Sequence, residues 1–260
     1  MIKAVFFDID GTLVPFATGT CSPSAVRAVR ELQNRGVLCF VATGRSRFEI
    51  ATEHLLDGLQ FDGYLTNNGQ DAYDAQWKQI YGKPLDPQDV QALLDWTDRK
   101  GYTCWLANAE KTCINHSSPE FLRAMEAVHT RPLFVGDLRE MSRQPIYKLV
   151  LFARPEEMTE PCRLAPHSRT TQWFELGHDF ISADGGKENA LREIMRLYRL
   201  RPEETMAFGD SENDASMLRT AGIGVAMGNA TPEALASADY VTDDAEKDGI
   251  YNALRHFGVI

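Results

Sequence analysis

Asp8-Ile9-Asp10-Gly11-Thr12 sets two carboxylates one residue apart, directly behind the short apolar run Ile2 to Phe7. Residues i and i+2 of an extended strand face the same way, so both acids would point into one space. Gly11-Thr12 then gives the backbone freedom to bring its amides inward. Elsewhere stand Thr43-Gly44-Arg45, Asn67-Asn68, Lys187 and Gly209-Asp210-Ser211-Glu212-Asn213-Asp214. Packed carboxylates repel one another and are costly to bury unpaired, a conflict that a divalent cation resolves. Oxygen ligands completed by waters and a phosphate favour Mg²⁺ over zinc, which would want histidine or cysteine. The chemistry expected of such a set is phosphoryl transfer. Asp8 is placed to attack phosphorus and form an aspartyl-phosphate, while Asp10 can protonate the leaving oxygen and later deprotonate the hydrolytic water. Lys187 supplies positive charge, Thr43 a hydrogen-bond donor, and the amides after Asp8, beginning with Ile9, can bind the remaining oxygens. Positioning and charge stabilisation would supply most of the rate gain.

Elements at both ends of the chain must bring these residues together. Ile2 to Phe7 reads as a central parallel strand with both faces buried. Ser22-Pro23 opens a helix that Gly36 closes, Val37 to Val41 is a second strand, and Thr43-Gly44-Arg45 leads into a helix through about Leu56. A third strand ends near Leu65. After Gly185-Gly186 come a helix, Lys187 to Tyr198, and a strand, Thr205 to Phe208. Two short strands follow, Ile223–Ala226 and Asp239–Val241, separated by a helix capped at Thr231-Pro232. This alternation predicts an α/β fold, a doubly wound (Rossmann-like) parallel sheet, whose ligands gather at the carboxyl ends of strands. Asp8, Asp10, Thr43, Asn67, Asn68 and Asp210 all stand at such ends, with Asn213 and Asp214 close behind.

The middle of the chain differs. Gln70 to Tyr81 reads as a hairpin, Asp86-Pro87 to Gly101 as a helix, and Tyr102–Ala107 with Lys111–Asn115 as a second hairpin. A helix after Ser118-Pro119 and a strand, Tyr147 to Phe152, complete a separate α+β module at residues 83–183. It is inserted into a core made of residues 1–82 and 184–260.

Composition bounds the partners. The 260 residues are 43% apolar and 25% charged, an ordinary soluble mixture long enough for a main and an accessory domain. With 27 basic against 37 acidic side chains the net charge is -10, which argues against nucleic acid but not against a small phosphorylated metabolite. The absence of a leader pattern and of an apolar run near 18 residues gives a cytoplasmic expectation, with no membrane contact. The five cysteines are expected as reduced buried thiols, Cys104 and Cys113 being the one conceivable bridge. The histidines, His116 and His178 included, offer no metal set, and the four tryptophans read as packing residues. No sequence feature sets the oligomeric state.

Asp8-Ile9-Asp10-Gly11-Thr12, Val41-Ala42-Thr43-Gly44-Arg45, Lys187 and Gly209-Asp210-Ser211-Glu212-Asn213-Asp214 resemble, in order, the four signature motifs of the haloacid dehalogenase superfamily. The module inserted between the second and third motifs resembles the large α/β cap of its Cof-type sugar-phosphatase subgroup. The resemblance implies a phosphatase of sugar phosphates or phosphorylated cofactors, its cap selecting the substrate. It implies that Asp8 and Asp210 ligate Mg²⁺ by side chain and Asp10 by its carbonyl, with Asp214 behind them or as a further ligand. Thr43, Gly44, Lys187 and Asn213 would contact phosphate or substrate, and Asn68 stands among them. Arg45 either holds a substrate anion or pairs with a neighbouring acid. One departure is Glu188, where the family often has glycine after the lysine. Two other functions use the same residues: phosphotransfer or phosphomutase chemistry, which Asp10 disfavours because it can activate water, and non-catalytic binding of a phosphorylated metabolite.

Overall fold

The computed structural model describes residues 1–54, 56, 58–127 and 134–260. Its contacts divide the chain into two units, one of Met1–Gly44, His54–Tyr81 and Lys187–Ile260, the other of Arg45–Glu53 and Gly82–Gly186. Arg45–Glu53, read from the sequence as part of the core, clusters with the inserted unit.

The chain begins with β1 (Ala4–Phe7), α1 (Pro23–Asn34) and β2 (Leu38–Ala42), followed by α2 (Arg47–Glu53), β3 (Gly63–Thr66), β4 (Asp71–Asp74) and β5 (Gln79–Gly82). Its middle carries α3 (Pro87–Lys100), β6 (Thr103–Ala107), β7 (Thr112–Ile114), α4 (Pro119–Ala127), α5 (Leu138–Met141), β8 (Lys148–Phe152), α6 (Thr159–Leu164), β9 (Ser168–Gln172) and β10 (Gly177–Ser182). It ends with α7 (Lys187–Tyr198), β11 (Thr205–Gly209), α8 (Ala215–Thr220), β12 (Ile223–Ala226), α9 (Pro232–Leu235), β13 (Tyr240–Val241) and α10 (Gly249–His256).

The first unit is built on an eight-stranded sheet in the order β13-β12-β11-β1-β2-β3-β4-β5. It is parallel from β13 to β3, and β4 returns antiparallel to β3. This is the doubly wound α/β core expected from the alternation. Its central strand, Ala4-Val5-Phe6-Phe7, is buried on both faces, which only a strand covered by helices on both sides can be. Phe6 stacks on Phe40 of β2 at 4.9 Å and Phe7 on Phe208 of β11 at 5.4 Å, so aromatic pairs run across the ladder. On one face, Ala190, Leu191, Ile194 and Met195, at helical spacing on α7, bury against Phe6, Phe40, Ala42 and Leu65. Burial at this level is worth about 1.5–3 kcal/mol for each large apolar side chain, and here it fixes where α7 starts. The start of α1 is fixed locally: the Ser22 hydroxyl accepts the Ala25 N–H, with proline in the first turn.

The second unit holds a five-stranded sheet, β7-β6-β8-β10-β9, whose neighbours all pair antiparallel. Alternation along β8 sends Leu149 and Leu151 into a core with Leu93, Leu94 and Trp96 of α3, and Val150 and Phe152 into another with Phe121 and Ala124 of α4.

Several elements depart from the sequence expectation. The helix expected through about Leu56 ends at Glu53, because His54 turns left-handed at φ 53°. β9, β10, α6 and α10 were not anticipated. β9 reads Ser-Arg-Thr-Thr-Gln and lies half exposed, so it lacks the apolar alternation that marks a strand. All five cysteines are free, and Cys162 is exposed rather than buried. Cys113 faces Leu106 across the β6–β7 ladder and Cys104 lies two residues away, so the conceivable bridge is not made. Among the described residues no helix is long and apolar enough to cross a membrane.

Candidate active site

β1 ends at Phe7, so Asp8 and Asp10 lie just beyond it, with Asp10 in an isolated bridge to Val14. The N–H groups of Leu13 and Val14 donate to the carbonyls of Asp8 and Ile9 at 3.3 and 2.8 Å, and that of Gly11 to Val14 at 2.8 Å. Ile9 is fully buried, anchoring the turn to the core. Gly11 has φ +79°, and a Cβ there would stand 2.2 Å from Asp210 Oδ2. The turn presses backbone against that carboxylate as only glycine allows.

β11 carries Asp210 beside Asp8, because Phe7 and Phe208 are in register and the Asp8 N–H donates to Phe208 O at 3.0 Å. The Thr12 hydroxyl donates to Asp210 Oδ1 at 2.9 Å. Lys187 is the first residue of α7 and fully buried, its Nζ donating to Asp8 Oδ1 at 2.7 Å and to Asp214 Oδ1 at 2.6 Å. The other Asp214 oxygen accepts the N–H groups of Asp210 and Ser211 at 3.0 and 3.1 Å. Asp214 thus closes its own turn and faces the lysine at once.

Asp8, Asp210 and Asp214 each offer an oxygen within 4.8 Å of the others, all three residues buried. Burial pushes Asp8 well above the usual carboxylate range; Asp214 adds to the effect, Lys187 opposes it, and Asp210 and Asp10 raise it further. Burial, then Asp214, pushes Asp210 up to about 7 against the hydrogen bond from Thr12. Burial alone would lower Lys187, but Asp214 and Asp8 outweigh it and hold the ammonium above its ordinary range. Three buried carboxylates thus face one ammonium, a set that stays ionised only with more positive charge. All donors are oxygens, so the set fits a hard cation such as Mg²⁺.

The remaining expected residues gather at the next strand ends. Thr43 follows β2, itself in register with β1, and its N–H donates to Leu65 O at 2.8 Å. The Asn68 N–H donates to Thr43 O at 2.9 Å, and Asn68 Oδ1 accepts from Asn213 Nδ2 at 2.8 Å. A Cβ on Gly44 would come 3.0 Å from the same Asn68 oxygen. Thr43, Gly44, Asn68 and Asn213 therefore form one linked group. Arg45 takes the second of its two expected alternatives, pairing with Glu53 across α2 in the second unit.

A haloacid dehalogenase-like hydrolase model matches residues 5–254. The chain belongs to that family. The hydrolase is 30% identical over 259 residues to the candidate phosphatase YkrA of Bacillus subtilis, covering 99% of this chain and 98% of the relative. It is 29% identical over all 260 residues to a candidate bifunctional phosphatase/peptidyl-prolyl cis-trans isomerase of Streptococcus pyogenes, of which it spans 54%. Among solved structures it superposes on the haloalkanoate-family subclass IIB sugar phosphatase BT4131 with a TM-score of 0.87 and 32% identity, covering 99% of this chain and 100% of that one. The family and the phosphatase relatives matched end to end make the chain a phosphoric monoester hydrolase of Cof type.

In this hydrolase the unusual Glu188 after Lys187 lies in the first turn of α7 and accepts the Ser216 hydroxyl of α8 at 2.8 Å. It ties two helices at the site and leaves the lysine in place. Sequence reasoning missed Thr12 as a support of Asp210, and missed Asn229 altogether. Asn229 Nδ2 donates to Gly11 O at 2.9 Å while its Oδ1 accepts the Ala245 N–H at 3.0 Å, clamping the Asp8 turn to a later loop. β12 ends beside β11, so the strand-end rule applied to the loop after Ala226 would have found it. Against the expectation that no histidine joins a metal-type group, His167 lies with Asp86 and Asp89 in the second unit. Their oxygens are engaged locally: Asp86 caps α3, and Asp89 accepts the His167 backbone N–H at 2.9 Å and the Ser168 hydroxyl at 2.7 Å and lies 3.1 Å from His167 Nδ1.

Proposed function

We propose that this hydrolase removes phosphate from small phosphorylated metabolites, sugar phosphates foremost, through an aspartyl-phosphate on Asp8 with Mg²⁺ as cofactor. The observation that carries the reading is Asp8 itself, held by Lys187 at 2.7 Å among the oxygens of Asp210 and Asp214. Asp8, Asp210, the Asp10 carbonyl and, directly or from behind, Asp214 would hold the metal. When bound it supplies charge that keeps the carboxylates ionised and withdraws electrons from the phosphoryl group. Asp8 attacks phosphorus as the leaving alkoxide takes a proton from Asp10, which then removes a proton from the water that cleaves the acyl phosphate. Lys187, Thr43 and the Ile9 amide orient the phosphoryl oxygens, with Gly44, Asn68 and Asn213 on the substrate side. Arg45 pairs with Glu53 through Nη1 and would meet a substrate anion only through its other donors.

The sugar-phosphate preference rests on the likeness to a structure described as a sugar phosphatase, and substrate selection by the second unit on its likeness to a Cof-type cap. Buried free thiols at Cys21, Cys39, Cys104 and Cys113 support a reducing, cytoplasmic setting. The test is phosphate release from an aryl phosphate and from a panel of sugar phosphates. Mg²⁺ should support it and EDTA abolish it, and Asp8→Asn should reduce turnover at least about a thousandfold. Full turnover by Asp8→Asn would remove the nucleophile assignment.

A further inference from the structure

The turn that joins β3 to β4 is held in an unfavourable conformation. Asn67, Asn68 and Gly69 are consecutively left-handed, at φ 50°, 59° and 75°, and two of the three bear side chains. Asn67 and Gln70 are fully buried, yet the Asn67 Oδ1 and both polar atoms of the Gln70 carboxamide make no hydrogen bond. Left-handed non-glycine residues and orphaned buried polar atoms both oppose folding, and they persist where the surroundings over-determine a geometry that function requires.

The over-determining group is Asp71. It is fully buried at the head of β4 and accepts three donors: the Thr66 hydroxyl, Asn67 Nδ2 at 3.1 Å and the Tyr73 hydroxyl at 2.9 Å. It therefore grips the residues on either side of the Asn67 peptide unit and fixes the next residue, Asn68. From there the geometry reaches the site at three points: the Thr43 carbonyl, the Asn213 carboxamide and the surface of Gly44. A rotation of the Asn67–Asn68 peptide would break all three.

We propose that Asp71 is a positioning residue for phosphate binding: by holding Asn67 left-handed it places Asn68, whose N–H holds the Thr43 carbonyl and whose carboxamide meets Gly44 and Asn213. Asp71 touches no reacting atom. Its role rests on the reading of those residues as the phosphate-side wall of a phosphatase site.

The test compares Asp71→Asn, Asn68→Ala and the double variant in the full chain with Mg²⁺. Each is measured for aryl phosphate turnover and, by calorimetry, for binding of inorganic phosphate, which reads the wall geometry without requiring turnover. Asp71→Asn is expected to weaken phosphate binding and raise KM about tenfold while kcat changes less than threefold. The double variant should lose less than the product of the two single losses, because both act in part through one carboxamide. Unchanged phosphate affinity in Asp71→Asn, or losses that multiply in the double variant, would overturn the proposal. Asn67→Gly keeps it falsifiable should Asp71→Asn not fold. Glycine relieves the left-handed strain but loses the link to Asp71, so the melting temperature should hold or rise while phosphate affinity falls several-fold. Unweakened binding in that variant would equally overturn it. Absence of turnover in the wild type, with phosphate still bound and the variants ordered as stated, would refute the phosphatase reading alone.

Discussion

Lys187 is the residue on which the charge balance at the site turns. Replacing it with methionine, of similar length, leaves Asp8 and Asp214 buried without their shared cation. Removing one partner of a buried pair costs about 3–5 kcal/mol, so Lys187→Met should lower the urea midpoint as well as abolish turnover, and Mg²⁺ should recover part of the stability. An unchanged midpoint would mean that the carboxylates are neutralised in another way. Gly11→Ala tests close approach: its methyl would meet Asp210 at 2.2 Å in a backbone that already favours glycine. Calorimetric Mg²⁺ affinity should fall at least about tenfold, with a stability loss of about 1–3 kcal/mol. The places of Asp8 and Asp210 after β1 and β11, and of Lys187 at the start of α7, were legible in the sequence because apolar strand runs and a helix start mark them. Asn229 and Asp71 were not. A carboxamide clamping a loop, or a carboxylate bracing a turn, has no required spacing and looks like any polar turn residue.

At the scale of elements, Glu204 joins β1 to β11 at the N-terminal ends of these strands, opposite the site. Its carboxylate meets Lys3 Nζ at 2.7 Å and caps the turn before β11 through the Arg201 N–H at 2.9 Å. Lys3 foremost, then Arg201, hold it down at about 2, against 4.5 for a free glutamate. A depressed carboxylate stabilises the fold above its unfolded pKa and loses that contribution as pH falls through the folded one. Glu204→Gln should therefore melt below the wild type at neutral pH, and the gap in melting temperature should close between about pH 4.5 and pH 2. A gap that persists at pH 2 would assign the effect to packing. Elements with local signatures were readable: α1 and α9 from Ser/Thr-Pro starts, β1 and β8 from unbroken apolar runs. β9 and β10 were not, since Ser-Arg-Thr-Thr-Gln and Gly-His-Asp-Phe-Ile-Ser become strands only through their neighbours.

For the whole molecule, the chain passes between units with their own sheets and cores at Gly44–Arg45, Glu53–His54, Tyr81–Gly82 and Gly186–Lys187, the last two bounding the long insertion. Near them, Lys83 and Asp184 form an ion pair at 3.5 Å with both side chains exposed, a contact of little strength. Amides at 81–84 and 184–187 should exchange far faster than those of β1 or β8, read by hydrogen–deuterium exchange, and uniform protection would show the connections to be rigid. The change of pattern in the middle of the chain is visible in the sequence because strand-helix alternation stops and resumes; the clustering of Arg45–Glu53 with the second unit is not, since it arises only from long-range packing.

The placement of β1 between β2 and β11 also has a consequence for how the protein is made. Thr12 and Asp210 hydrogen-bond across 198 residues of chain, so β1 leaves the ribosome well before β11 and acquires that neighbour only after the whole inserted unit has emerged. Until then Ala4-Val5-Phe6-Phe7 presents an open, apolar edge, the kind of surface on which nascent chains misassociate. The same late closure that completes the sheet also brings Asp210 to Asp8. The carboxylate cluster of Asp8, Asp210 and Asp214 can therefore form only in a chain that has made this long-range pairing, so its assembly marks a chain whose two ends have met.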